Sequence, residues 1–205
     1  MSQEVLETGQ ESPRRGVPAW VVWTVGIAAL VLLTAANVAV AAELGIRSAE
    51  ADNLVSTVEQ SEAAMKATQA EFDEVLSAYD TENLTDEERE QLRAELSDVA
   101  QRGGVAIADA GGFVAGLLIM PWHTQLLDAQ EAYLAHNQAW VDYMAAAAED
   151  PAEWFRPQPV VNDTFAEAKD PLIAAVPLFD PLGTLERIEL IYFTGSGDAG
   201  DGQSA

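Results

Sequence analysis

The chain contains no cysteine and has few basic residues. The absence of cysteine excludes disulfides, thiolate catalysis, zinc ribbons and thiolate-ligated iron–sulfur clusters, and it leaves both a cytosolic and an extracytoplasmic location open. Ten lysine and arginine residues stand against 34 aspartate and glutamate residues, which gives a formal net charge of −24. A chain with this charge repels phosphate backbones, so nucleic acid is not expected among its partners.

Histidine is also scarce, since His123 and His136 are the only two. Their separation of 13 residues does not match the HExxH zinc pattern, and Glu131 precedes His136 by five residues rather than in the Glu-x-x-His spacing of di-iron bundles. No GxSxG nucleophile motif is present, and residues 103–120 contain no phosphate-binding glycine motif. The sequence therefore predicts no catalytic residue, no metal ligands and no cofactor.

Residues 18–42 form an apolar run of 25 residues without a charge. About 20 apolar residues suffice for a helix to cross a bilayer, so the lipid bilayer is an expected partner of this run. Trp20 and Trp23 stand near its start, where indole side chains favour the membrane interface, and Arg14 and Arg15 precede it. Basic residues before a span favour a cytoplasmic N-terminus. We therefore interpret these four residues as membrane-interface residues.

A cleaved secretory signal is the alternative for this run, because Ala39-Val40-Ala41 fits the small-x-small pattern that signal peptidase recognises. The run is longer than the apolar region of about 7 to 15 residues that is typical of such signals. A retained anchor is therefore favoured. In that case everything after Glu43 is expected outside the cytoplasm.

Apolar residues that recur every seven positions predict one long amphipathic helix over residues 43–80, continuous with the apolar run. They are Leu44, Ala51, Val58, Met65, Phe72 and Tyr79. A core face is favoured over a self-associating coiled coil, because polar residues interrupt the second row. Thr85 and Glu88 then have the spacing of a capping box, which predicts a second helix over residues 86–101.

The C-terminal half also has helical patterns. Apolar and aromatic residues predict a long helix from Trp122 through the alanines at 145–148, and Asp150-Pro151 ends it. Several prolines restrict residues 150–183 to one short helix near 163–175. The stretch "TLERIELIYF" suits either a helix or a strand, and a helix is favoured.

Residues 103–120, "GGVAIADAGGFVAGLLIM", have three interpretations: a second membrane span, a glycine-rich loop or a buried helix. Asp109 would cost about 2.5–3.5 kcal/mol at the centre of a span, and no basic residue follows before Arg156. A buried helix is therefore favoured. Small residues spaced by four are expected to form a ridge on which another helix packs. They are Gly104, Ala108, Gly112 and Gly116. A leucine in place of Gly112 should therefore disrupt folding.

Together these patterns predict an all-α protein with one N-terminal transmembrane helix followed by an extracytoplasmic antiparallel helical bundle. The expected parts are a cytoplasmic N-terminus (1–17), a signal-anchor helix (18–42), a helical domain (43–193) and a flexible acidic tail (194–205). The expected function is a non-enzymatic interaction, scaffold or sensor-like module, with a protein partner or a second copy bound through helices. The alternatives are an extracytoplasmic enzyme or small-ligand-binding protein, and a two-span accessory subunit of a membrane complex.

Overall fold

The computed structural model describes the backbone of residues 19–81, 83–178 and 180–196, and side chains within residues 23–192 apart from those of residues 82 and 179. Helices account for 85% of the described backbone, and no strand occurs in it. The all-α prediction is therefore confirmed. The predicted N-terminus (1–17) and residues 197–205 of the predicted tail lie outside the described residues.

The described backbone contains five α-helices and one short 3-10 helix. In chain order they are α1 (Ala19–Ser77), α2 (Asp86–Ala115), α3 (Thr124–Glu149), the 3-10 helix (Pro151–Phe155), α4 (Pro159–Ala175) and α5 (Thr184–Ser196). The chain divides into two compact units, one that ends at Glu43 and one that begins at Leu44. We call the described residues from Leu44 onward the helical unit.

Residues 23–42, which we call the apolar segment, belong to α1 and expose every side chain. Mean hydropathy reaches 2.3 in the most apolar window of 18 residues, and none of that window is buried. In the described part of the chain, α1 is the one helix with the length and composition to cross a membrane. The helix that the apolar run predicted is thus present, and it is apolar on all sides.

After residue 43 the same helix shows the predicted heptad pattern as a buried face. Ala51, Val58, Met65 and Phe72 are all buried. Each lies seven residues after the one before it, which corresponds to nearly two helical turns, so the four side chains project from one side of α1. The prediction of a core face is confirmed at these four positions, whereas Leu44 is 50% exposed and Tyr79 lies beyond the end of α1.

The core of the helical unit consists of two apolar clusters. The first contains residues 51–58 of α1, 126–133 of α3 and 168–175 of α4, and the second contains later residues of α1 and α3 but earlier residues of α4. α2 likewise contributes Leu92 through Ile107 to the second cluster and Val114 to the first. α2 and α4 therefore run opposite to α1 and α3.

α2 differs from the prediction in length. Its start agrees, because the Thr85 hydroxyl accepts the backbone N–H of Glu88 at 3.2 Å and the Glu88 carboxylate accepts the Thr85 N–H at 2.8 Å. The predicted end at residue 101 is wrong, since the helix continues to Ala115 and so includes residues 103–115 of the stretch predicted as a buried helix, whereas residues 116–120 are not helical. Glycine lowers helix propensity by up to about 1 kcal/mol relative to alanine, so the contacts of this half of α2 must stabilise it.

The C-terminal helices follow the prediction more closely. α4 begins four residues before the predicted start, with Pro159 in its first turn, where proline is tolerated, and it continues through Pro171. The ambiguous stretch from Thr184 is helical, as favoured. Gly183 precedes this helix and has a φ of 65°, a backbone conformation that residues other than glycine rarely adopt.

Candidate functional site

The predicted membrane-interface residues are only partly within the described chain. Arg14 and Arg15 lie outside the described residues, and of Trp20 the structure describes the backbone, which belongs to α1. Trp23 is 73% exposed at the start of the apolar segment. Their placement at a membrane interface stays a prediction.

Of the four predicted ridge residues, Ala108 and Gly112 lie on an exposed side of α2, whereas Gly104 is partly covered and Gly116 follows the last residue of the helix. Gly104 is half-buried, and a Cβ built on it would lie 3.2 Å from the Cβ of Met144. Ala108, Gly112 and Gly116 are exposed, and a Cβ at Gly112 would meet nothing within 4 Å. A leucine at Gly112 is therefore no longer expected to disrupt folding.

The close helix contacts are instead formed by Gly103 and Gly111, each one residue before a predicted ridge position. A Cβ at Gly103 would lie 2.2 Å from Cγ2 of Thr68, and a Cβ at Gly111 would lie 2.1 Å from Oδ1 of Asn137. Both distances are far below van der Waals contact. These two glycines therefore allow polar side chains of α1 and α3 to pack directly on the backbone of α2.

Asn137 links three helices through its side-chain amide. Its Nδ2 donates to Oγ of Ser61 in α1 and to the carbonyl oxygen of Ile107 in α2, both at 3.0 Å. The side chain is buried, so losing either hydrogen bond would leave a polar group without water. Gly111 makes room for this amide, and the two residues specify how α2 and α3 meet.

Glu62 of α1 lies beside the same contact and faces two residues of α3. The hydroxyl of Tyr133 donates to Glu62 Oε1 at 2.9 Å, and Nε2 of His136 lies 3.5 Å from the same oxygen. Burial, and then the negative charge of Glu62, raise the pKa of Tyr133 above its ordinary value, so the phenol remains a donor. Nδ1 of His136 lies 3.2 Å from the hydroxyl of Thr164 in α4.

We call these residues the polar cluster, and four helices contribute to it or contact it. Its members are Ser61, Glu62, Tyr133, His136 and Asn137. A carboxylate, an imidazole and a phenol in one place are groups that can exchange protons. The hydrogen bonds of Tyr133 and Asn137 and the polar contacts of His136 join different helices, so the arrangement holds the helices in register.

Both histidines of the chain pair with a glutamate of α1. His123 Nδ1 lies 2.5 Å from Glu50 Oε2, whereas His136 uses Nε2, which lies 3.5 Å from Oε1 of Glu62, twelve residues further along α1. No motif in the sequence singles out either glutamate. The spacings of 12 and 13 residues match along the parallel helices α1 and α3, but the structure and not the sequence shows that these helices are parallel.

No group of three or more His, Asp and Glu side chains that could hold a metal ion occurs among the described residues.

The aromatic residues of the C-terminal half divide between core and surface. Tyr133 and Trp140 are buried, and Tyr143 and Trp154 stack with ring centroids 5.5 Å apart, whereas Phe155 is exposed.

Arg187 of α5 binds three side chains of α1. Its Nη1 lies 2.5 Å from Asp52 Oδ1, its Nε donates to Glu59 Oε1 at 2.8 Å, and its Nη2 donates to Ser56 Oγ at 2.9 Å. Hydrogen bonds with Glu59 and with Asp52 raise the pKa of Arg187. The bond with Glu59 has the largest effect and outweighs partial burial, which lowers the pKa. This guanidinium fixes α5 on α1.

Comparisons with known proteins identify no relative. No family model matches the chain, and neither a curated protein nor a solved structure matches it.

Proposed function

We propose that the chain is a single-pass membrane protein whose helical unit acts outside the cytoplasm as a non-enzymatic interaction, scaffold or sensor-like module. The observation that carries the proposal is that α1 is one helix with two kinds of surface. Its apolar segment exposes every side chain, whereas its later half buries a heptad face. Lipid would surround the exposed apolar segment, and an antiparallel helical bundle would cover the heptad face.

The charge around the apolar segment supports the orientation. Arg14 and Arg15 precede it, and the next basic residue is Arg47. Glu43 and Glu50 also follow it closely. Because basic residues near a span favour the cytoplasmic side, the N-terminus belongs there and the bundle outside.

The contacts of the polar cluster support an architectural role for its side chains. Tyr133 uses its hydroxyl to bind Glu62, and Asn137 uses its amide to join three helices. Removing either would leave a buried partner without its hydrogen bond. The cluster thus serves to keep a rigid scaffold at the membrane.

The predicted ridge supports a contact with another protein. Ala108 and Gly112 are exposed and lie next to the exposed side chains of Val105 and Phe113. Small residues let a second helix approach closely, and flanking apolar side chains add buried area. Two copies with a net charge of −24 each would repel one another, so the proposed occupant is an apolar helix of a different protein.

Protease protection in spheroplasts of a bacterial host tests the topology. With an epitope at each end of the full chain, we expect external protease to remove the C-terminal epitope and to spare the N-terminal one until the membrane is lysed. The N-terminal epitope is the internal control. A protected C-terminal epitope in intact spheroplasts would refute the proposed orientation.

Site-specific photo-cross-linking tests the contact surface. A cross-linker at Ala108 should give a discrete product that Gly112→Leu abolishes, because the larger side chain blocks close approach. A cross-linker at Ala145, an exposed alanine of α3, serves as the control. Identical products from both positions, or a product that contains two copies of this chain, would contradict the proposal.

A further inference from the structure

Two loops lie at the end of the helical unit where α1 enters it. The first, residues 116–123, connects α2 to α3. The backbone N–H of Met120 donates to Glu50 Oε1 at 3.1 Å, and His123 Nδ1 lies 2.5 Å from Glu50 Oε2. Just past the loop, the side chain of Gln125 accepts a hydrogen bond from Arg47. This loop is therefore fixed to the first turns of α1 in the unit.

The second loop, residues 176–183, connects α4 to α5 and lies at the same end. Val176 packs against the apolar cluster that contains Ala51. Shortly after the loop, Arg187 binds Asp52. We call the two loops the entry loops.

The entry loops differ in composition from the rest of this acidic chain. Of its 34 aspartate and glutamate residues, Asp180 is the one that falls in either loop. The connections at the other end of the unit, residues 78–85 and 150–158, carry two acidic residues each. Charge is thus depleted at one end of the unit.

Large apolar side chains of the entry loops are exposed. Leu118 is 95% exposed, Leu178 is fully exposed, and Trp122 is 61% exposed. Exposed leucine and tryptophan side chains are typical of segments that lie in the boundary between lipid headgroups and acyl chains. An aqueous surface offers no comparable stabilisation for them.

The entry loops are also within reach of a bilayer that holds the apolar segment. Glu50, which binds the first loop, stands eight residues after Ala42. Eight residues span about 12 Å as a helix, and at most about 29 Å when fully extended. Because the first loop is held on Glu50, the chain between Ala42 and Glu50 limits its distance from a bilayer that holds the apolar segment.

Resting on the proposed membrane anchor, we propose that the entry loops insert Leu118, Trp122 and Leu178 into the interface of the same bilayer. The contact is apolar rather than electrostatic, since the chain has a large excess of negative charge. A phosphatidylcholine bilayer, which carries no net charge, is therefore sufficient. The contact would hold the helical unit against the membrane.

The absence of cysteine allows a direct test with single spin labels on the full chain in phosphatidylcholine vesicles. Labels at Leu118→Cys and Leu178→Cys report on the entry loops. A label at Phe155→Cys, which replaces a side chain that is 62% exposed in the 3-10 helix, is the matched aqueous control. A label at Val31→Cys in the apolar segment reports on the anchor. Power saturation with oxygen and with a water-soluble nickel chelate measures the depth of each.

We expect collisions with the nickel chelate to be several-fold less frequent at positions 118 and 178 than at 155, and collisions with oxygen to be more frequent. Equal accessibility at 118, 178 and 155 would overturn the inference while a lipid-exposed label at Val31 preserves the anchor. A water-exposed label at Val31 would instead overturn the anchor itself. Protection at 118 that disappears when the protein is diluted in lipid would show a second copy in place of the bilayer, which also overturns the inference.

Discussion

The apolar segment of α1 and the later half of α2, residues 103–115, are both helical, rich in alanine and nearly free of charge, yet their surroundings differ. In the apolar segment every side chain is exposed around the whole circumference. In α2 one side is buried, at Gly103, Ile107 and Gly111 among others, while Asp109 is exposed. Hydropathy describes both stretches as apolar. The two stretches differ in where their side chains are buried: a helix exposed on all sides suits lipid, whereas a helix buried on one side packs against other helices.

The difference shows how each stretch is stabilised. Directional contacts hold α2, since Asn137 bonds the carbonyl of Ile107 and packs on Gly111. The apolar segment has side-chain hydrogen bonds to its own backbone, from Thr34 to the carbonyl of Leu30 and from Asn37 to that of Leu33. These bonds satisfy polar side chains within the helix, as a lipid environment requires.

The largest expected effect comes from an arginine in each stretch. Val31 and Val105 are equally exposed, at 61% and 59%. Val31→Arg should cost about 2.5–3.5 kcal/mol of insertion free energy, because the charge enters the hydrocarbon core. Val105→Arg should change the free energy of unfolding by no more than about 0.5 kcal/mol, as is usual for surface substitutions.

Alkaline extraction of membranes measures the first effect as a loss of the resistant fraction, and thermal unfolding by circular dichroism measures the second. The two variants control each other because the residue change is identical. Equal extraction of both proteins would remove the proposed distinction between the two stretches.

A second, smaller effect is expected from alanine at neighbouring glycines of α2. Gly111→Ala should destabilise the fold by about 1–3 kcal/mol, because the new Cβ displaces the buried Asn137 amide from its two hydrogen bonds. Gly112→Ala should stabilise it by up to about 1 kcal/mol through helix propensity, since its Cβ meets nothing within 4 Å. Urea unfolding of the full chain in detergent micelles measures both, and a similar loss in the two variants would contradict the assigned packing face.

How far the sequence predicts this architecture depends on the kind of signal. The heptad spacing of apolar residues predicted α1, and the capping box at Thr85 predicted the start of α2. Both signals depend on residues that are close together in the sequence. The spacing of Gly104 and Gly112 predicted a packed face of small residues in this region. It did not reveal that Gly103 and Gly111 form the packed face, because the choice depends on Thr68 and Asn137, which are distant in sequence.

The contacts of the two histidines are hidden for the same reason. His123 and His136 each meet a glutamate that lies more than 70 residues away along the chain. Nothing local marks Glu50 or Glu62 among 34 acidic residues. Their selection follows from the parallel packing of α1 and α3, which the sequence patterns did not specify.

The smallest expected effect concerns the capping box that begins α2. Thr85→Ala removes the hydroxyl that accepts the Glu88 N–H and should destabilise the full chain by about 1 kcal/mol in thermal unfolding at neutral pH. Gln91→Ala, an exposed change inside the same helix, is the control and should have little effect, since alanine has the higher helix propensity. An unchanged unfolding temperature in Thr85→Ala would show that the start of α2 is specified elsewhere.

The same box gives α2 a pH dependence that the uncharged apolar segment lacks. The backbone N–H and the hydroxyl of Thr85 lower the pKa of Glu88 below its ordinary value of 4.5. A group whose pKa is lower in the folded state stabilises the fold above 4.5, and this contribution is lost as pH falls through the lowered pKa. The stability difference between the native chain and Glu88→Gln, measured by unfolding from pH 7 to pH 3, should therefore shrink on acidification. A difference that stays constant over this range would show that the carboxylate does not stabilise α2 through its charge.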